Sequence, residues 1–467
     1  MCVLTNLYFS LDKDLNLPPL CTSHFSCVLT DINCDIDELE NNFLKESTFP
    51  FAASCLSNVC VSSATVLSEG TDVKTTLEIM LDISDLNLTY LPGDTIGILP
   101  KNDEKEINVI LNRLGLSGDV KYKLSVDETK KKKIPSYIPP VFSVKFLLQN
   151  CLDIRSVVKK ALLRALVEHT FDPIEKRRII ELCCREGTGE YNEYILKQKT
   201  SIIDILQVFS SCRPPLSLLI EHIPRLQPRP YSIASSPLKD PNLLRVVFNV
   251  VHDIRNRRGV CSGWLFDMTL PLHDLNFKLS QVELSDNLKP VTIKIPVYLR
   301  KPTKFRIPEN SSLPLIMIGP GTGVAPFLGF LEHRQQEISG PNRKNTENHI
   351  MFGCRHRNKD DIYRKKFLMM EEENLCLYHV SYSRDNDNNH PKYVQDLMKL
   401  KRKDIVNQLL TSETVIFICG NGLTMTKDIM KTLVHLIANV KGISEEEAND
   451  VVTSLEKKGQ IVKELWS

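Results

Sequence analysis

The sequence lacks the features that would place it in a membrane, outside the cell or on nucleic acid. No run of 18 or more apolar residues occurs, which argues against a membrane span. The first 20 residues lack a basic segment followed by a sustained apolar core, which argues against a signal peptide. The formal net charge of +2 gives no reason to expect nucleic acid or a membrane surface as a partner. These absences predict a cytosolic protein.

Metal-ligand spacing is also missing, although the chain has 14 cysteines. No C-x-x-C pair occurs, and the remaining cysteine separations do not match a zinc site. We therefore predict buried free thiols and no metal centre.

The length of 467 residues is enough for two or three domains, each with its own core. Residues 1–58 have no sustained periodicity and are interpreted as a tail or linker, with one short acidic helix near residues 35–45. The pattern then changes. Alternating apolar residues over 75–83, and a Pro-Gly-Asp turn leading to 96–99, predict strands of an antiparallel barrel.

A helix-rich segment, 141–222, interrupts these strands, and strand-like apolar residues resume at 244–251. We therefore assign 59–312 to an antiparallel β-barrel domain with an α-helical connecting insertion at 141–222. From 313 to 467, apolar runs alternate with helical segments, which predicts an α/β doubly wound domain. The expected fold is thus multidomain.

A glycine-dense corner follows the first predicted strand of this last domain. Gly319, Gly321 and Gly323 let the backbone turn tightly and bring its N–H groups close to a pyrophosphate. A predicted helix over 327–336 directs its positive end at the same place. A glycine loop alone is a weak signal, because most such loops are only turns.

Two other stretches suit a flavin. Arg229, Tyr231 and Ser232 place a cation, an aromatic ring and a hydroxyl within four residues. The run 259–262 is a second tight segment ahead of a predicted helix, able to hold phosphate by backbone N–H groups. Taken alone, the first stretch could equally be a surface turn.

Together these motifs resemble the ferredoxin-NADP reductase-like module of diflavin reductases over roughly residues 60–467. The matching runs are Arg229-Pro-Tyr-Ser-Ile-Ala-Ser-Ser236, Gly259-Val-Cys-Ser-Gly-Trp-Leu265, Gly319-Pro-Gly-Thr-Gly-Val-Ala-Pro-Phe327, Phe352-Gly-Cys-Arg-His356, Tyr382-Ser-Arg-Asp385 and Lys392-Tyr-Val-Gln395. Further details, including Leu226-Gln-Pro-Arg-Pro-Tyr-Ser232 and the near-terminal Trp466, resemble the branch that reactivates cobalamin-dependent methionine synthase.

The resemblance implies two cofactors, FAD and NADPH, and a binding role for particular positions. The expected FAD contacts are Arg229, Pro230, Tyr231, Ser232, Gly259, Val260, Cys261, Ser262 and the shielding ring of Trp466. The expected NADP contacts are Lys74, Gly321, Thr322, Gly323, Ser383, Arg384, Lys392, Tyr393, Val394, Gln395 and Asp428. Among them, Ser383 and Arg384, with Lys392 and Tyr393, would grip the 2′-phosphate, which favours NADPH over NADH.

The resemblance also implies which residues assist hydride transfer. Transfer from nicotinamide to flavin needs close stacking and modest polar help rather than a nucleophile. Ser232 and Cys419 match the assisting positions, Glu464 replaces the usual Asp, and Trp466 must move before the nicotinamide stacks.

Two departures from the family pattern bear on function. The loop after Cys419 reads Asn421-Gly-Leu-Thr424 and lacks the usual acidic and basic residues. Residues 1–60 are too few for a flavodoxin-like FMN domain, so a separate FMN-containing acceptor is expected. The leading hypothesis is an NADPH-dependent FAD reductase that serves methionine synthase through that acceptor. The alternative is a non-catalytic scaffold or chaperone for the same cobalamin enzyme.

Overall fold

The computed structural model of this chain describes residues 14–20, 24–30, 36–126, 133–273, 292–337, 347–385, 390–411 and 413–466. Its strands are β1 (Phe25–Leu29), β2 (Ser57–Val66), β3 (Thr76–Asp82), β4 (Thr95–Ile98), β5 (Lys121–Val126), β6 (Val141–Ser143), β7 (Arg229–Ser232), β8 (Leu243–Asn249), β9 (Lys294–Leu299), β10 (Leu315–Pro320), β11 (His349–Cys354), β12 (Leu377–Tyr382), β13 (Val415–Asn421) and β14 (Ile461–Trp466). The helices of seven or more residues are α1 (Ile36–Glu46), α2 (Glu104–Leu114), α3 (Lys160–Leu166), α4 (Pro173–Cys183), α5 (Ile202–Val208), α6 (Leu216–His222), α7 (Val260–His273), α8 (Ala325–Glu337), α9 (Arg364–Glu372), α10 (Val394–Leu400), α11 (Arg402–Thr411), α12 (Leu423–Lys441) and α13 (Glu445–Lys457).

The chain divides into two compact units. The first, here called the helical unit, comprises Met1–Pro50, Leu99–Arg229 and His252–Trp264. The second, the barrel and sheet unit, comprises Phe51–Ile98, Pro230–Val251 and Leu265–Ser467. Parts of the predicted tail, 1–13, 21–23 and 31–35, lie outside the described residues.

The helical unit packs α2 to α6 around an apolar core. Helix α2 begins after Asp103, whose side chain caps it by accepting hydrogen bonds from the backbone N–H groups of Lys105 and Glu106. Ile107 and Ile110 then face inward at helical spacing, and Gly115 ends the helix in the left-handed conformation. Helices α3 to α6 lie within 141–222, so this predicted insertion is helical, as its periodicity indicated.

One sheet of the helical unit was not predicted. Strand β1 pairs antiparallel with β5, and β5 pairs with β6. Only Phe25 of β1 is buried, so the strand lacks the regular alternation that would reveal it in a sequence. This strand lies within the segment that was interpreted as a tail.

The barrel consists of six strands in the order β7-β4-β9-β2-β3-β8. A further antiparallel bridge between Ile233 and Val246 joins the two ends of this order, which closes the sheet. In β3 the alternate residues Leu77, Ile79 and Leu81 have no exposed surface, as the period of two predicted. The predicted antiparallel barrel is confirmed.

The remaining sheet has the order β12-β11-β10-β13-β14, with parallel pairs throughout. Strand β10 is buried on both faces, because Leu315 and Met317 pack into one apolar cluster and Ile316 and Ile318 into another. Helix α8 contributes to the first cluster and α10 to α13 to the second. The doubly wound α/β prediction is confirmed, although strand β14 was not predicted.

Within the described ranges, none of the helices combines the length and the apolar content that crossing a membrane requires.

Two histidines lie side by side at the start of β11 and in β12. Nδ1 of His349 is 3.1 Å from Nε2 of His379, and the two rings stack with 5.4 Å between centroids. Burial lowers the pKa of His379 from 6.5 to about 4 and also lowers the pKa of His349. Between about pH 4 and pH 6.5 the unfolded chain therefore binds more protons than the folded chain.

We predict that the thermal midpoint falls as the pH is lowered from 6.5 to 4, because protonation then favours the unfolded chain. The His379 contribution is at most on the order of 1–3 kcal/mol. In His379→Phe the ring packing is kept and the midpoint should fall less over this range, as measured by calorimetry. The exposed His435 provides the control His435→Phe, which should keep the wild-type pH dependence. Identical profiles for wild type and His379→Phe would contradict the prediction.

Candidate functional site

A cleft of about 470 Å³ opens at the carboxyl ends of the parallel strands in the barrel and sheet unit. This is the edge where open α/β sheets bind ligands. Nine predicted NADP residues line it: Lys74, Gly321, Thr322, Ser383, Lys392, Tyr393, Val394, Gln395 and Asp428. Gly323 and Arg384, which were also predicted, are not among the lining residues.

The glycine corner occupies the turn between β10 and α8. A Cβ on Gly323 would lie 2.0 Å from the carbonyl oxygen of Cys419, and a Cβ on Gly319 would lie 2.5 Å from the Gly323 carbonyl. Only glycine therefore allows this corner to pack against β13. Gly321 lines the cleft with a φ of 59°, and the first turn of α8 directs its positive end toward the same side.

The predicted 2′-phosphate residues come from two neighbouring segments. Ser383 follows β12, and its hydroxyl donates to the carbonyl of Cys354 at 3.2 Å. Tyr393 precedes α10 and is 60% exposed, whereas the adjacent Val394 is buried. Arg384 donates through Nη1 to the carbonyl of Asp72 at 3.3 Å.

Several lining residues were not predicted. Thr76 of β3 donates to the Asn249 side chain of β8 at 2.9 Å, and that amide donates to the Thr322 hydroxyl at 3.4 Å. The other unpredicted residues are Pro320, Gly353, Cys354, Arg355, Asp360, Ile362 and Met425. Arg355 belongs to the run Phe352-Gly-Cys-Arg-His356, which was used for the family resemblance. Its positive charge was the one signal in the sequence that could have indicated a place in the cleft.

The two predicted assisting residues of the last strands lie together. Cys419 of β13 is directly opposite Glu464 of β14 in the parallel register. Burial, and then the nearby Glu464, raise the pKa of Cys419 well above its usual value. Burial also raises the pKa of Glu464, and Arg300 partly opposes this. The pair therefore offers a thiol and a carboxyl that keeps its proton to higher pH, rather than a thiolate nucleophile.

Trp466 ends β14 and packs against the apolar cluster that contains Phe417. Its carbonyl accepts a hydrogen bond from Gly422 N–H at 3.1 Å, which fixes the end of the strand beside the loop after β13. Ser232 and Tyr231 lie on the barrel strand β7, where the Tyr231 ring is 5.2 Å from Phe248. The roles of Ser232 and Trp466 in catalysis stay predictions.

In the helical unit, the predicted pyrophosphate residues begin α7. Cys261 and Ser262 are buried in its first turn, and Gly263 N–H donates to the Gly259 carbonyl at 2.8 Å. The preceding residues are held firmly, since Arg255 forms an ion pair with Asp204, and Arg257 lies 3.1 Å from the same carboxylate. A glycine followed by the first turn of a helix suits a bound pyrophosphate.

These features fit both implied cofactors. A Cβ on Gly263 would lie 2.5 Å from the Arg258 side chain, so the start of α7 has the tight backbone that a flavin diphosphate requires. The cleft combines a glycine corner with cations from Lys74, Arg355 and Lys392, which suits a nicotinamide dinucleotide phosphate.

Comparison with known proteins agrees with this fit. Residues 49–264 match the family described as FAD binding domain, and residues 317–431 match the oxidoreductase NAD-binding domain. The chain therefore carries an FAD-binding domain and an oxidoreductase NAD-binding domain. The cofactor prediction, FAD and NADPH, is confirmed.

The proteins to which the chain is similar include methionine synthase reductases. It is 38% identical to the Mus musculus protein and 37% identical to the Homo sapiens protein, each over 88% of this chain and 61% of the relative. It is also 30% identical to the NADPH–cytochrome P450 reductase of Cavia porcellus, over 90% of this chain and 60% of that protein. The chain thus spans about 61% of the length of the methionine synthase reductases it matches.

The glycine corner yields a prediction with a matched control. In Gly323→Ala the new Cβ would overlap the Cys419 carbonyl and displace the glycine corner. We therefore expect the free energy of unfolding to fall by about 1–3 kcal/mol or more. Gly321→Ala adds a Cβ into open space at positive φ and should cost about 1 kcal/mol. Thermal unfolding of both variants without nucleotide measures the difference. Equal midpoints for the two variants would contradict the close approach.

Proposed function

We propose that this protein is an NADPH-oxidising FAD reductase that passes electrons to an FMN-containing, flavodoxin-like acceptor. The acceptor would in turn reactivate cobalamin-dependent methionine synthase. The observation that carries the proposal is the pairing of Cys419 with Glu464 beside a glycine corner and a cation-lined cleft. The similarity to methionine synthase reductases supports the choice of final partner. The cytoplasmic location stays a prediction.

Different residues of this chain would bind different parts of the two cofactors. Ser383, Arg384, Lys392 and Tyr393 would bind the 2′-phosphate, and Thr322 with the glycine corner would bind the NADP pyrophosphate. Tyr231 and the first turn of α7 would hold the flavin. Bound FAD supplies the chemistry of accepting a hydride from NADPH and releasing its electrons one at a time.

Cys419 and Glu464 would act on the reacting end of the nucleotide by polarity rather than by nucleophilic attack. Cys419 is completely buried, and the raised pKa of its thiol keeps the sulfur protonated. Glu464 retains its proton to higher pH than an exposed carboxyl and can share it with a neighbouring polar group. Both groups therefore help to place and stabilise charge without forming a covalent bond.

The first experiment is an anaerobic absorbance spectrum of FAD-reconstituted protein before and after addition of NADPH, with NADH as the control. We expect NADPH to bleach the flavin band and NADH to do so much more slowly, because only NADPH carries the 2′-phosphate. Bound flavin that NADPH does not bleach would overturn the reductase proposal. That outcome would favour a non-catalytic scaffold for the cobalamin enzyme.

The paired residues can be tested separately from cofactor binding. We predict that Cys419→Ala and Glu464→Gln each slow flavin reduction by NADPH by about 10- to 100-fold, with flavin content unchanged. Stopped-flow absorbance at saturating NADPH measures this rate. Cys376→Ala, at another buried cysteine of the same unit, is the control and should reduce flavin at the wild-type rate. Wild-type rates in both site variants would remove the pair from the mechanism.

A further inference from the structure

A barrel loop contacts the edge of the nucleotide cleft through Asp72. This residue lies between β2 and β3, two positions before Lys74, which lines the cleft. Its carboxylate is 2.8 Å from Nζ of Lys359 and 3.0 Å from Nε2 of His356. Both partners lie on the segment that follows β11, between the cleft residues Arg355 and Asp360.

The backbone of the same loop is held as well. The Asp72 carbonyl accepts a hydrogen bond from Nη1 of Arg355 at 2.7 Å and another from Nη1 of Arg384 at 3.3 Å. In addition, Glu69 N–H donates to the Lys359 carbonyl at 2.8 Å. Arg355 lines the cleft, and Arg384 is a predicted 2′-phosphate residue. Four basic side chains therefore meet one acidic residue.

The segments that carry these cations are adjacent. Arg384 N–H donates to the Arg355 carbonyl at 2.9 Å, and Ser383 N–H donates to the Cys354 carbonyl at 2.9 Å. The second nitrogen of His356 is 3.0 Å from Asp385. His356 thus lies beside the segment 383–385, and the hydrogen bond from Lys359 lowers the pKa of Asp72, which keeps it ionised.

A negative charge beside these basic side chains weakens their attraction for a phosphate. The 2′-phosphate carries close to two negative charges at neutral pH and is attracted by every cation nearby. Asp72 offsets the charge of Lys359, pairs with His356, and would repel a phosphate bound nearby. The side chains of Asp72 and Lys359 are each about 40% exposed, so water and salt weaken the effect without removing it.

We propose that Asp72 is a specificity-determining residue of the nucleotide site, which limits affinity for the 2′-phosphate by engaging Lys359 and His356. This inference rests on the proposed NADPH function. It assigns to Asp72 a weakening role that applies to phosphorylated nucleotides and not to those without the 2′-phosphate.

The test uses 2′,5′-ADP, which carries the 2′-phosphate, and 5′-AMP, which does not. In Asp72→Asn the backbone carbonyl that holds Arg355 and Arg384 is retained, and only the charge is lost. Titration calorimetry at low salt should show two- to fivefold tighter binding of 2′,5′-ADP, unchanged binding of 5′-AMP, and a smaller difference at high salt. The control Asp85→Asn removes an exposed carboxylate beyond the other end of β3 and should change neither ligand.

A second variant tests the pairing itself. Lys359→Gln should change 2′,5′-ADP binding less than twofold in the wild-type background, because Asp72 already engages this lysine. In the Asp72→Asn background the same change should weaken binding and reverse the gain. Equal effects in both backgrounds, or equal tightening of 5′-AMP and 2′,5′-ADP by Asp72→Asn, would overturn the proposal.

An unchanged affinity for 2′,5′-ADP in Asp72→Asn would also overturn it. Failure of the wild-type protein to bind 2′,5′-ADP at all would instead count against the NADPH function on which the inference depends.

Discussion

The close approach of two backbone segments determines the geometry of this nucleotide site. The corner after β10 touches β13 at the carbonyl of Cys419, with no room for a side chain at Gly323. That contact sets where the first turn of α8 begins and where its N–H groups lie. It also places the corner directly beside the strand that carries Cys419 opposite Glu464. The glycine corner and the Cys419–Glu464 pair therefore share one backbone contact.

A buried ion pair joins helix α8, which follows the glycine corner, to the barrel. Arg245 of β8 lies 3.1 Å from Glu332 of α8 and 3.2 Å from Glu78 of β3. Glu332 has no exposed surface, so each charge needs its partner. The guanidinium also donates to the Ala234 carbonyl at 2.9 Å, next to the bridge that closes the barrel. The helix that starts at the glycine corner is thus fixed to the barrel strands.

Basic side chains line the cleft, whereas the side chain of Cys419 is buried away from solvent. Lys74, Arg355 and Lys392 line the cleft, whereas Cys419 is completely buried with a raised pKa. A cofactor that supplies its own reactivity requires placement and electrostatic support from the protein rather than a nucleophile. The polar contacts of Thr76, Asn249 and Thr322 extend that support from the barrel strands to the glycine corner.

Local patterns in the sequence determined several secondary-structure elements and the turn at the glycine corner. Alternation at Leu77, Ile79 and Leu81 predicted a barrel strand, and the glycine spacing with its following helix predicted the phosphate corner, because both depend on neighbours in the chain. Family motifs then indicated nine lining residues of the cleft. Only the tertiary structure decided the rest. Strands β1 and β14 form through pairing with distant segments, and Thr76, Asn249 and Asp72 meet the nucleotide site across separations that no local pattern encodes.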